Sequence, residues 1–154
     1  MLFLLTGLVQ AGVVVGAAGN VEVALDPNPA DTVTPGAAAL VGYRFPTGPV
    51  RVQAEALLHM SFASPLINLP LGASVSTKGP VGVGAYAHVS APINGYPWPG
   101  LDAGALFEVR AGSHVDIWVR SGWEWNHAPH YKCGNCPQPS DHWWISSGGV
   151  SVAF

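Results

Sequence analysis

The stretch Val50-Arg51-Val52-Gln53-Ala54-Glu55-Ala56-Leu57-Leu58-His59-Met60-Ser61-Phe62 decides the fold. Val50, Val52, Ala54, Ala56, Leu58, Met60 and Phe62 share one parity, while Arg51, Gln53, Glu55, Leu57, His59 and Ser61 share the other. Successive side chains of a strand point to opposite faces, so a strand separates these two sets, whereas a helix scatters them around its axis.

The same alternation predicts a strand over residues 67–77, where Ile67, Leu69, Leu71, Ala73 and Val75 oppose Asn68, Gly72, Ser74 and Ser76. It predicts another over 81–91, with Val81, Val83, Ala85, Ala87 and Val89 against Gly82, Gly84, Tyr86, His88 and Ser90. Residues 101–111 hold Asp102, Glu108 and Arg110 in one phase, and 114–125 hold Asp116, Arg120 and Glu124 in one phase. Strands over 37–46 and 143–154, and an eighth over roughly 13–26, complete the set. Short connections at 46–49, 78–80 and 111–113 alternate with longer ones at 27–36, 63–66, 92–100 and 126–142. Strict alternation of this kind puts short turns, and both termini, at one end of a meander and longer loops at the other.

Composition narrows the class further. With 154 residues the chain is one domain. Charged residues make up 10%, against roughly 25% in ordinary soluble domains, and the chain has 19 Gly and 14 Pro. Past the N-terminus no charge-free apolar run approaches the roughly 20 residues of a membrane helix, so a membrane placement requires strands. A net charge of −3 and a pI near 6.0 give no basic footprint for nucleic acid.

Residues 1–21 carry no charge, and Leu2 to Val9 fits the apolar core of an export signal. Residues 1–18 are therefore expected to be an export segment, with cleavage open between small residues near 11 and those at Gly16, Ala17 and Ala18. Residues 12–154 then form one barrel domain. A helical anchor is the rival for this segment, which lacks the usual basic start.

Alternation by itself leaves open which face is wet, because a soluble lipocalin-like barrel also alternates. The polar phase is mostly Gly, Ser and a few charges, which suits a narrow filled lumen. Tyr43, Phe45 and Phe154 collect at the short-turn end, with Phe62, Trp123, Trp125 and Trp144 at the other, as interfacial girdles do. Finally, Ser147, Gly149, Val152 and Phe154 resemble the C-terminal assembly motif of bacterial outer-membrane barrels: a polar residue, Gly two positions later, then hydrophobic residues at the third-last and last positions. Ser146 and Gly148 fall on the membrane phase and weaken it locally. With the strand layout, the chain resembles the small OmpA/OmpX-type barrels. That resemblance implies an all-β fold, an eight-stranded antiparallel meander closed into a transmembrane barrel. It also implies the lipid bilayer of the bacterial outer membrane and the barrel-assembly machinery as partners. Oligomeric state stays open.

In this arrangement Glu22, Asp26, Arg44, Arg51, Glu55, His59, His88, Asp102, Glu108, Arg110, His114, Asp116, Arg120 and Glu124 point into the lumen. A hairpin centred on Gly112 sets Glu108 beside Asp116 and Arg110 beside His114, and the two carboxylates need a cation from Arg120, Arg110 or an arginine across the barrel. The expected ionic network is Arg44, Arg51, Glu55, Glu108, Arg110, Asp116 and Arg120. Eight strands leave room only for side chains, so a plug is expected rather than a conducting path. Arginines toward the short-turn mouth and carboxylates toward the loops would favour cations if the lumen did conduct.

An enzyme requires a nucleophile and a base in contact. His59-Met60-Ser61 resembles the His-x-Ser of outer-membrane lipid A deacylases, but Phe62-Ala63 follows where that family continues with Asn, and both side chains fall in the lumen phase. Catalysis, as a lipid hydrolase using His59 and Ser61, is therefore not expected. His127, His130, Cys133, Cys136 and His142 cluster in the longest loop. A Cys133–Cys136 disulfide or an unliganded loop suits an oxidising compartment, and a zinc or copper site drawn from those five residues is the alternative. No cofactor is called for. The expected role is structural, adhesive or surface-binding through external loops, with a narrow ion or small-solute channel as the alternative.

Overall fold

A computed structural model describes residues 12–25, 33–45, 47–62, 67–94, 100–126 and 142–154. It holds eight strands: β1 (Gly12–Ala24), β2 (Val33–Phe45), β3 (Val50–Ser61), β4 (Ile67–Thr77), β5 (Val81–Asn94), β6 (Gly100–Arg110), β7 (Val115–Asn126) and β8 (His142–Ala153). Each pairs antiparallel with the next, and β8 pairs with β1, closing the barrel. Closure leaves no open edge of unpaired backbone groups, which hydrocarbon would penalise by several kcal/mol each.

The barrel is strongly sheared. From Val14, the line of paired residues runs through Gly42, Glu55, Gly72, His88, Asp102, Glu124 and Trp143. It re-enters β1 at Ala24, ten residues beyond its start (24 against 14). Shear tilts the strands, and tilt with strand number sets the lumen's width. Orientation follows from exposure: Val41 and Val83 are each 57% exposed on the outer wall, while Glu55 and Asp116 are 5% and 3% exposed inside.

Three local features depart from the alternation pattern, all of them at prolines. β2 begins at Val33 rather than 37: Pro35 holds its place opposite Phe62 through its carbonyl, which accepts from Phe62 N at 2.9 Å, and lacks only the return donor at the loop end of the β2–β3 ladder. β5 runs past Pro92 to Asn94, with a register shift against Ile67 and Asn68 that absorbs the extra residue. Within β4, Pro70 is fully buried, and the β3–β4 ladder passes from Ala56↔Leu71 to His59↔Asn68 without pairs between. A missing N–H breaks that ladder on the β3 side only, since Pro70 still pairs with Ser90.

The β6–β7 hairpin corrects an expected register. Ala111 N donates to Val115 O at 2.8 Å, so the loop is Gly112 to His114, with Gly112 at φ 105°. Arg110 therefore faces Asp116, and Glu108 faces Trp118. His114 is exposed in the turn instead of pointing into the lumen, and its Nδ1 lies 3.0 Å from Ala153 O. At the same end Lys78 Nζ donates to the carbonyls of Thr47 and Gly48, tying two short turns together.

β1 starts at Gly12, and Val14 is wholly buried against the closing strand, paired with Ala153. An export boundary near 11 leaves this strand whole, whereas one at 18 would remove residues that pair with both β2 and β8. Residues 1–11 lie outside the described residues, as does Asp26.

Candidate functional site: the ionic lumen

Arg44 and Arg51 stand one residue inside the short-turn ends of β2 and β3, as Asp116 does in β7. Arg44 Nη2 donates to Asp116 Oδ2 at 2.7 Å. Arg51 Nη1 reaches Glu108 Oε2 at 2.9 Å and Asp116 Oδ2 at 3.3 Å, with Ser76 Oγ completing Glu108 at 2.8 Å. The cation for the Glu108 and Asp116 pair is thus Arg51, from across the barrel. Arg110 stays at the rim, 3.8 Å from Asp116 Oδ1 with its side chain 27% exposed.

Glu55 is the hub of the middle layer. Its carboxylate accepts from Gln53 Nε2 at 2.8 Å, Ser74 Oγ at 3.2 Å and Arg120 Nη2 at 2.7 Å, and faces His88 Nε2 at 2.9 Å. Arg120 in turn stacks against Trp118 and Tyr86, its guanidinium carbon 4.7 and 5.4 Å from their ring centroids. A delocalised guanidinium tolerates such an aromatic slot better than an ammonium would. Gln53 also accepts from Arg44 Nη2 at 3.3 Å, and His88 Nδ1 faces Asp102 Oδ2 at 3.1 Å. An unbroken chain of polar contacts therefore runs Glu108, Arg51, Asp116, Arg44, Gln53, Glu55, His88, Asp102, from the short-turn mouth into the loop-side half.

Glycines make this chain fit. A Cβ at Gly72 would lie 2.8 Å from His88 Cδ2, one at Gly122 would lie 2.5 Å from Tyr86 Oη, and one at Gly149 would lie 2.9 Å from Trp118 Cζ2. Each large inward side chain lies over a strand that lacks one. An apolar layer of Val14, Leu40, Leu57, Leu106 and Ala153 packs with Tyr86 and Trp118 in the same interior. Both rings carry the parity of the charged residues, which is the signal that finds them.

All seven expected network residues are placed in or at the mouth of the lumen, six in the chain of contacts or on its hub and Arg110 beside it. Gln53, His88 and Asp102 are the additions that join its parts. His59 is buried with Nε2 unpartnered among the described residues, and Ser61 is half-buried. Both face inward, away from the outer wall. Ser147 is buried inside and Gly149 lies beneath Trp118, while Val152 and Phe154 take the outer phase, Phe154 N donating to Val13 O at 2.9 Å. His142 stacks on Trp123 at 5.5 Å. The other four loop candidates, His127, His130, Cys133 and Cys136, lie outside the described residues.

A closed eight-stranded meander with an apolar outer wall and a packed ionic interior is the architecture of the small transmembrane β-barrels. The crystal structure of Neisserial surface protein A has this fold: it aligns with a TM-score of 0.58 at 15% identity, over 94% of this chain and 97% of that one. A de novo designed transmembrane β-barrel aligns with a TM-score of 0.52 at 14% identity, over 94% and 98%. No family model matches the chain, and no curated protein is a significant match.

Proposed function

We propose that the chain is an integral protein of the bacterial outer membrane with a sealed lumen, serving a structural, adhesive or surface-binding role through its long loops. The observation that carries this reading is the chain of polar contacts from Glu108 to Asp102, whose members reach across the lumen between strands on opposite walls. Buried charges without partners are costly, and here the arginines each meet a carboxylate. Export through the N-terminal segment, and delivery by the barrel-assembly machinery through Ser147, Gly149, Val152 and Phe154, belong to the same reading. So does the absence of catalysis: His59 and Ser61 face the interior, where an acyl chain in the membrane does not reach.

Purified protein refolded into planar bilayers tests the reading. The expected result is heat-modifiable gel migration with no sustained single-channel conductance at neutral pH. Steady conductance would overturn the sealed lumen in favour of a narrow ion channel. Phe154→Ala is expected to slow arrival in the outer membrane while sparing refolding in detergent.

A further inference from the structure

The two halves of the plug meet at His88, with Tyr86 beside it. Below His88, the charges are those of arginines and carboxylates in contact. Among the described residues no arginine or lysine lies on the loop side of Arg120. That half instead holds Glu22, Asp102 and Glu124 with His59 and His88. Asp102 has a second link, a side-chain hydrogen bond from Tyr86, whose ring lies against Arg120, but among the described residues His88 is the side chain that touches Asp102 and Glu55 directly.

His88 does so by lying across a neighbouring strand. Glu55, Gly72 and His88 are consecutive in the register of β3, β4 and β5, and the imidazole passes over the bare backbone of Gly72 to reach the carboxylate two strands away. Its other nitrogen meets Asp102 on β6. Between two ionised carboxylates, both contacts are hydrogen bonds only when both ring nitrogens carry protons, since a neutral imidazole has one N–H and one lone pair. Loss of that proton turns a lone pair toward a carboxylate and cuts the chain at His88, whichever side lets go.

The groups facing this ring are few. β3 contributes Glu55 and His59, β6 Asp102 and β7 Arg120 through Glu55, with Glu124 beside Asp102 in register. β4 contributes no titratable group on its inward face, β1 brings Glu22 toward Asp102, and Tyr86 on β5 packs at 5.1 Å and donates its hydroxyl to Asp102. His59 has an unpartnered Nε2 and shares this space, so it is the one further titrating imidazole to separate from His88.

We propose that His88 is a proton-operated clasp joining the two halves of the plug, closed as the imidazolium and open as the neutral ring. This rests on the lumen being sealed. The test combines imidazole nitrogen NMR of the refolded barrel in micelles with planar-bilayer recording from about pH 5 to about pH 9, the range in which imidazole changes charge. Wild type and His59→Gln are expected to show two His88 N–H signals at the acid end. One is lost as pH rises, together with about a tenfold increase in the frequency of conducting events, the factor one charge-assisted hydrogen bond commands. In His88→Gln that frequency is expected to be flat with pH. The same pH profile in wild type and His88→Gln, or one His88 N–H at every pH, overturns the clasp. Steady conductance while both N–H signals persist would instead break the sealed-lumen reading and leave the proton count standing. If His88→Gln gives no heat-modifiable barrel, Asp102→Asn decides: loss of the second N–H must then move to lower pH, and an unmoved midpoint overturns the proposal.

Discussion

Ala54 and Glu55 are neighbours in β3, yet one belongs to a wall that must be apolar and the other to an interior that must be paired. Apart from the hydrogen-bonded Ser121, Trp144 and Ser146, the outer wall is largely apolar, and a side chain there is judged mainly by its own affinity for hydrocarbon. In the interior each group is judged by what it touches, so the same residue type is neutral in one place and costly in another. Most of the barrel's specificity therefore sits on the inward parity of each strand, although the outward parity is what drives it into a membrane.

The sharpest break of this contrast is Glu55→Ala. Its side chain is wholly buried, and its removal leaves Arg120 without its carboxylate and His88 with Asp102 alone. Unpairing a buried charge costs about 3–5 kcal/mol, so urea unfolding of the refolded barrel followed by tryptophan fluorescence should show a loss of that size. Glu55→Met combined with Arg120→Met should recover much of it, because the desolvated charge goes as well. Recovery failing in the double variant would mean that Glu55 acts through more than its pairing.

Next in size is the outer wall. Ala54→Arg should cost about 2–4 kcal/mol in a bilayer, and Ala54→Leu almost nothing. Equal tolerance of the two would contradict the orientation of every strand. A smaller effect separates glycines on the two faces. Gly122→Ala places a methyl against Tyr86 Oη and the Ala103 carbonyl, and overpacking of this kind costs about 1–3 kcal/mol. Gly19→Ala, with no atom within 4 Å of its new methyl, should stay within about 0.5 kcal/mol of wild type in the same unfolding measurement. The smallest expected effect is at the rim. Arg110→Ala removes a 3.8 Å contact from a partly exposed side chain, and should cost less than about 1 kcal/mol.

The strands and their faces were legible because side-chain alternation is local: a parity can be read from a dozen residues without knowing what lies across the barrel. β4 runs over residues 67–77, as its pattern predicts, and the inward placement of Arg44, Arg51, Glu55, Asp116 and Arg120 follows from parity alone. Pro35 and Pro92 read as parts of the connections 27–36 and 92–100, while a barrel wall accepts them where the missing N–H or an extra residue can be absorbed. The hairpin turns about Ser113 rather than Gly112, and a shift of that size is enough to move Asp116 from Glu108 to Arg110 and set Glu108 opposite Trp118.

The sequence by itself determined the strand count, the alternation of turns and loops, the outward apolar face and the set of charges turned inward. Which charge meets which was decided only by the closed barrel. Arg44 finds Asp116 72 residues away, Arg51 finds Glu108 57 away, and Arg120 finds Glu55 65 away. Such pairings depend on the shear accumulated around eight strands and on glycines that let long side chains cross a neighbouring strand. Parity chooses the face locally; height and angle around the axis exist only once the last strand has paired with the first.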